Sequence, residues 1–343
     1  MVDFLMISTR PGRRGIEEIY PRFIIKKSSD LMIRGGDFYA VWLEDEKRWS
    51  TEKDDVISLI DNELYKYYEE HKDNFEVPVK VLYLRDSENG MIDRWNKYCK
   101  QQMFDTFHML DEKLIFSNTE VTKKDYSSKR LPYPLEDGDT SAYDELMSTL
   151  YSEEERRKIE WCIGAVVTGD SKKLQKFMVL YGAAGTGKST VLNIIQQLFD
   201  GYYSVFDAKS LTTSSNSFAL EAFKSNPLVA IQHDGDLSRI EDNTRLNSLV
   251  SHEMMEVNEK FKSTYQNRFK AFLFMGTNNP VKITDAKSGL MRRLIDVTPT
   301  GEKLSAREYK SVTKQIGFEL GAIAWHCKEV YESDPGMYDN YIP

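Results

Sequence analysis

Apolar residues along the chain form short unbroken runs in some stretches and helical stripes in others. Residues 38–43 (FYAVWL) predict a strand, 44–47 a charged turn, and Ser50 or Thr51 caps a helix on which Val56, Leu59, Ile60, Leu64 and Tyr67 recur at helical spacing. Residues 77–84 predict another strand and 91–102 another helix, so 1–112 reads as a smaller α+β N-terminal domain. Residues 117–143 are polar and aperiodic, with Pro132, Pro134 and Gly138. They predict a linker, which with a helical lead-in occupies 113–152. From Glu153 a helix with Ile159, Ile163 and Val167 on one side opens a second domain, 153–303. There the apolar strands 177–181, 228–231, 271–276 and 294–297 alternate with helical segments such as 188–199. Short continuous apolar runs between helices indicate a parallel sheet buried on both faces, an α/β fold. Residues 304–343 predict one long helix from Ser305 to about Val330, with Tyr309, Val312, Ile316, Leu320, Ile323 and Cys327 along a stripe, and then a tail.

Composition narrows the classes. The 343 residues are 41% hydrophobic and 29% charged, a globular balance that argues against wholesale disorder. No apolar run approaches the roughly 18 to 20 residues of a membrane span, and the first residues lack a secretory signal, so the expectation is a cytoplasmic protein without membrane partners. Cys99, Cys162 and Cys327 are isolated, encoding neither a disulfide framework nor a zinc site. The net charge of −8 disfavours a surface generally coated for nucleic acid, so any DNA contact must be local. Arg10, Arg13 and Arg14, beside Gly12 and Gly15, read as a solvated loop in preference to a mobile basic arm touching DNA.

Residues 182–189 read GAAGTGKS, a full G-x-x-x-x-G-K-[ST] match placed after a strand and before a helix, the context this phosphate-binding motif requires. Gly182, Gly185 and Gly187 let backbone N–H groups turn inward around phosphate oxygens at a helix N-terminus, with Thr186 and Thr190 beside them. Lys188 would reach the β and γ phosphates of ATP, and the Ser189 hydroxyl would ligate Mg²⁺. A carboxylate at a neighbouring strand end is needed on the metal side, and Asp234 is the first choice, with Asp236 as partner or substitute. The strand over 272–276 ends in TNNP, presenting Asn278 where an amide can orient the attacking water. Arg292 and Arg293 open the last strand, and an arginine offered to a neighbouring subunit's nucleotide would stabilise transition-state charge. Residues 253–268 read as a hairpin whose tip, Lys260, Phe261 and Lys262, suits a single-stranded nucleic-acid backbone.

Taken together, the phosphate loop, the acidic strand end, the basic hairpin, the TNNP strand end and the arginine pair resemble the superfamily 3 helicases, in particular the phage, plasmid and poxvirus primase-helicase branch. IFSN at 115–118 and LPYPL at 131–135 extend the resemblance over about 114–300. It implies an AAA+-like P-loop NTPase acting as a replicative DNA helicase in phage or plasmid replication, with Lys188 and Ser189 on nucleotide and metal, Asp234 with Asp236 as the acidic pair, and Asn278 as sensor. It also implies Arg293, or Arg292, as arginine finger, Lys260 with Phe261 in a central channel, and a hexameric ring moving 3′ to 5′ on one DNA strand. Primase, polymerase or loader proteins are the implied partners and a host bacterial cytoplasm the implied location. Two departures stand out: His233 precedes Asp234 and Gly235 separates it from Asp236, where related helicases carry adjacent acids, and the chain stops soon after one helix where many relatives continue into a winged-helix region. The latter leads us to expect a truncated C-terminus.

The rival reading is a non-helicase AAA+-like ATPase that remodels or loads a protein partner, whose turnover DNA would not stimulate. A GTPase switch is disfavoured because no Asn-Lys-x-Asp motif occurs. The acidic run Glu44, Asp45 and Glu46 lies in a hairpin turn without a nearby histidine, so the first domain reads as an accessory module and not as a primase.

Overall fold

The computed structural model describes residues 2–24, 28–101, 107–212, 219–235, 243–258, 265–279 and 289–343. The chain forms two compact units, one of residues 1–112 with 120–129, the other of 113–119 with 130–343.

In the first unit, β1 (Leu5–Pro11) pairs antiparallel with β2 (Glu17–Phe23), and β3 (Leu31–Arg34), β4 (Asp37–Leu43) and β5 (Arg48–Ser50) form an antiparallel meander. Helix α1 (Lys53–His71) follows, then β6 (Val79–Val81), which pairs parallel with β2, then α2 (Met91–Gln101). Both sheets and both helices share one core, including Leu5, Ile19, Val41, Ile60 and Trp95. Two expectations are corrected here. The strand expected over 77–84 stops at Val81, because the Asp61 carboxylate accepts the Leu84 and Arg85 N–H groups at 2.6 and 3.3 Å and so removes them from any ladder. Arg10 is not in a loop but in β1, where its guanidinium meets Glu18 at 2.8 Å and lies over the Tyr20 ring.

The polar stretch expected to be a linker is built into both units. Trp49 donates its indole N–H to the Lys123 carbonyl at 2.9 Å in the first unit. In the second, Leu131 and Tyr133 are buried, and the Tyr133 hydroxyl donates to the Leu198 carbonyl. An extended segment buries scattered side chains with no period, so periodicity cannot reveal it.

The second unit begins with α3 (Ser141–Leu150) and α4 (Glu153–Thr168). It continues through β7 (Phe177–Tyr181), α5 (Lys188–Leu198), β8 (Tyr203–Val205), α6 (Ala208–Thr212), β9 (Val229–Gln232) and α7 (Thr244–Val250). Strands β10 (Met254–Val257) and β11 (Tyr265–Arg268) form an antiparallel pair, and β12 (Phe272–Thr277), β13 (Leu294–Val297) and α8 (Ala306–Ser333) complete the unit. Five strands make a parallel sheet in the order β13-β7-β12-β9-β8. Alternate residues serve its two faces: Met178, Leu180, Ile231 and Phe274 pack with α3, α4, α5 and α8, whereas Phe177, Val179, Ala230 and Met275 pack with α6 and α7. Burial on both faces is why these strands read as unbroken apolar runs. No helix among the described residues is long and apolar enough to cross a membrane.

Helix ends follow their caps. Ser152 caps α4, three glutamates occupy its first turn, and Gly169 ends it in the left-handed region. Ser305 and Glu308 form a reciprocal capping box on α8. Helices α4 and α8 touch at Gly164, where a Cβ would stand 2.0 Å from the Cys327 carbonyl oxygen. Glu319 of α8, 4% exposed, accepts the Ala142 and Tyr143 N–H groups at 3.1 and 3.0 Å and thereby caps α3 from a helix distant in sequence. Glu319→Ala is expected to cost about 2 kcal/mol, because two helix-end donors lose their acceptor, with less loss for Glu319→Gln; denaturant unfolding measures both.

His326 of α8 lies 3.2 Å from Glu160 of α4, whose carboxylate also takes Arg156; Arg156 in turn reaches Asp144 of α3. The Glu160 carboxylate raises the His326 pKa above its ordinary 6.5, against burial and Arg156, which lower it. Folding therefore favours protonated His326, and this contribution is present in full below pH 6.5 and lost as pH rises through the elevated folded value. The unfolding midpoint should fall over that window in the wild type, and His326→Gln should flatten that part of the profile.

Candidate active site

β7 ends at Tyr181, and the chain turns through 182–187 into α5. Thr186 ties the turn by donating to the Ala183 carbonyl at 2.8 Å. Gly187 has φ +90° and directly precedes Lys188, and a Cβ there would lie 2.7 Å from Leu150 of α3, so backbone conformation and space both demand glycine. No side chain caps the first turn of α5 and no acid sits in it, so its N–H groups remain available to an anion. Ser189 is exposed at this end.

Lys188 is only 6% exposed. Its ammonium donates to the Gly182 and Ala183 carbonyls at 2.7 and 2.9 Å and to Asn278 Oδ1 at 2.9 Å. Asn278 Nδ2 donates to Asp234 Oδ1 at 3.1 Å. With its oxygen toward the cation and its nitrogen toward the carboxylate, the amide satisfies both neighbours. Burial lowers the Lys188 pKa, and the Asp234 charge opposes that shift. Lys188, Asn278 and Asp234 follow β7, β12 and β9, three adjacent parallel strands, and so share one edge of the sheet. Two contacts extend the ladder past the strand ends: Gly182 N–H to the Thr277 carbonyl at 3.3 Å and Gly235 N–H to the Gly276 carbonyl at 2.8 Å. Thr277, fully buried, exchanges hydrogen bonds with the Asn279 backbone and fixes the turn that carries Asn278.

Arg292 and Arg293 lie at the other edge. They form a turn before β13, whose Leu294 pairs with Phe177 at the start of β7. The Arg292 carbonyl accepts Lys176 Nζ at 2.7 Å. Arg293 is 9% exposed; its Nη1 reaches the Gly289 carbonyl at 2.9 Å and Asn247 Oδ1 at 3.4 Å, and its Nε has no hydrogen-bond partner among the described residues. Burial, then the neighbouring Arg292 charge, lowers its pKa. Neither arginine joins Lys188 of the same chain. Asp236, Lys260, Phe261 and Lys262 lie outside the described residues, though β10 and β11 pair Met254 with Arg268 on either side of the hairpin segment.

A cavity of about 290 Å³ opens beside the loop, lined by Leu146 and Leu150 of α3, Thr190 of α5, and Lys303, Leu304 and Tyr309 at the start of α8. Apart from Thr190, these walls lie far from the motif in sequence, and nothing local to them marks them as part of a site.

The five-stranded parallel sheet, with a loop, a lysine, an amide and a carboxylate at its C-terminal edge, is consistent with an α/β nucleotide-binding fold. Residues 180–293 match the model of a family described as a family of unknown function, DUF5906. The fold is similar to that of the NrS-1 C-terminal region. An apo A-form structure of that region matches with a TM-score of 0.51 at 12% identity, over 89% of this chain and 66% of the other. A second apo structure of the region matches with a TM-score of 0.46 at 14% identity, over 62% of this chain and 51% of the other. The chain thus spans about half to two thirds of the solved chains it matches, and at these identities the likeness concerns the fold alone. No curated protein matches the chain in sequence.

Gly187→Ala should destabilise the protein by about 2 kcal/mol, combining a left-handed backbone penalty with the Leu150 clash. In a Leu150→Ala background the added cost should shrink to about 1 kcal/mol, the backbone portion, as read from denaturant midpoints.

Proposed function

We propose that the chain is a P-loop ATPase that drives an AAA+-like replicative DNA helicase of the superfamily 3 type, working as a ring, a hexamer by family likeness, on single-stranded DNA. The observation that carries this reading is the Lys188–Asn278–Asp234 relay across three adjacent strand ends, directly under a glycine loop and an uncapped helix N-terminus. Lys188 is held by carbonyls of its own loop. Phosphate oxygens are stronger, charged acceptors, so ATP binding draws the ammonium off the carbonyls and onto the phosphates. Asn278 Oδ1 then loses its cation and becomes free to accept from a water, while Asp234 still holds the amide nitrogen and so fixes the direction in which that water is presented. The exposed Ser189 hydroxyl and Asp234 carboxylate are oxygen donors that suit a hard cation such as Mg²⁺. Mg²⁺, when bound with the nucleotide, supplies charge compensation on the phosphate oxygens.

The position of Arg293 favours an assembly. A side chain at the strand starts cannot serve the loop at the strand ends of its own sheet, so as an arginine finger it acts on a neighbour's nucleotide. Lys260, Phe261 and Lys262 would then gather as a local positive collar in a body of net charge −8 per chain, holding the DNA backbone.

Turnover assays on the full chain test the reading. Lys188→Ala should lower kcat/KM for ATP by at least about 100-fold. Lys260→Ala should leave basal hydrolysis nearly intact and abolish its stimulation by single-stranded DNA. Wild-type turnover that DNA never stimulates would favour the rival reading, an ATPase that remodels a protein partner.

A further inference from the structure

The cavity beside the loop has walls of two kinds. Leu150 and Leu304 are apolar, and Tyr309 stands on the first turn of α8, 40% exposed, with its hydroxyl 3.1 Å from Thr190 Oγ1 of α5. An aromatic ring facing aliphatic side chains across a small cavity suits a flat heterocycle, and a volume of about 290 Å³ lies at the lower end of small-molecule sites, near 300 Å³. Lys303 supplies the second kind of wall. Its ammonium lies 3.4 Å from where a side chain on Gly185 would begin, and it has no carboxylate partner among the described residues. Lys188 and Lys303 both line the cavity, so a phosphate chain seated on the loop has two cations beside it. No Asn, Gln, Asp or Glu side chain among the described residues lines this cavity; its polar side chains are the hydroxyls of Ser189, Thr190 and Tyr309 and the two lysines, a set without an amide or carboxylate to tell one purine edge from another.

We propose that this cavity holds the base and sugar of a purine nucleoside triphosphate, that Tyr309 packs against the base, and that Lys303 is a second phosphate ligand. The inference rests on the triphosphatase reading above and deepens it. Both residues lie outside the 180–293 stretch that matches the family model, so nucleotide contact would be completed from the start of α8.

Displacement of a fluorescent ATP analogue from the full chain in Mg²⁺ by ATP, GTP or inorganic tripolyphosphate separates base from phosphate contacts. Tyr309→Ala should weaken ATP about tenfold and leave tripolyphosphate unchanged, with Tyr309→Phe close to wild type. Lys303→Ala should weaken ATP and tripolyphosphate alike, about tenfold, with recovery in Lys303→Arg. ATP and GTP should compete within about tenfold of each other in the wild type. Equal weakening of ATP and tripolyphosphate by Tyr309→Ala, a Tyr309→Phe defect as large as that of Tyr309→Ala, an unchanged Lys303→Ala protein, or a purine preference above about 100-fold would each overturn the assignment. Tight analogue binding that Tyr309→Ala leaves intact overturns this inference alone. Wild-type protein that binds neither nucleotide nor tripolyphosphate overturns the triphosphatase reading as well.

Discussion

A buried ammonium must be answered by acceptors, and the way Lys188 is answered governs the rest of the candidate site. An unpaired charge removed from water costs several kcal/mol, yet among the described residues no carboxylate touches Lys188 directly. Two loop carbonyls and one amide oxygen take its three protons, and the compensating charge on Asp234 is relayed through Asn278. This arrangement satisfies the ammonium without a direct ion pair. A direct Lys188–Asp234 pair would have to be broken before phosphate could bind, whereas neutral carbonyls yield to a charged acceptor at little cost. The amide also keeps cation and carboxylate at a fixed separation, and it engages only one of the two carboxylate oxygens of Asp234.

That relay depends on the sheet. Lys188, Asn278 and Asp234 converge only because β7, β12 and β9 are neighbours running the same way, and they stay neighbours because side chains from both faces are buried. The helices on one face are joined to each other by polar contacts of two buried glutamates: Glu319 caps α3, and Glu160 joins Arg156 and His326 between α4 and α8. Leu150, which ends α3, presses on Gly187, so the placement of α3 by Glu319 reaches the loop through packing. The stability of the helical layer and the shape of the loop are thus coupled by a contact that neither element's own sequence discloses.

Legibility followed the same physics. Four strands of the large sheet could be read because burial on two faces leaves unbroken apolar runs, whereas the edge strand β8, with Ser204 and an exposed Val205, leaves none; the residues just past each run could be named as candidates because a strand end is where a side chain leaves the ladder. The loop at 182–189 was legible because its glycines serve backbone conformations that few residues adopt. Other features stayed hidden because their partners are remote in sequence. Asp61 shortens β6 from α1, Glu319 caps α3 from α8, and Leu131 and Tyr133 are buried in a stretch with the composition of a linker. The cavity walls at Leu146, Leu150, Lys303 and Tyr309 belong to this group, since each is ordinary in its own helix or turn and acquires meaning only from the loop it faces.

The polarity of the sheet sets the last constraint. β7 carries the glycine loop at one end and, through its pairing with β13, stands beside Arg292 and Arg293 at the other. A strand of five residues spans about 16 Å, beyond the reach of an arginine side chain already held by Gly289 and Asn247. Within one copy, groups that would bind a triphosphate and a cation that would stabilise its cleavage are therefore held apart by the strand that connects them. A second copy stacked head to tail removes the separation, because the arginine edge of one sheet then faces the loop edge of the next. Such a contact joins two unlike surfaces and repeats, closing into a ring when the rotation per copy divides a full turn. The assembly proposed for this chain is thus what a parallel sheet requires if Arg293 is to meet the nucleotide at all.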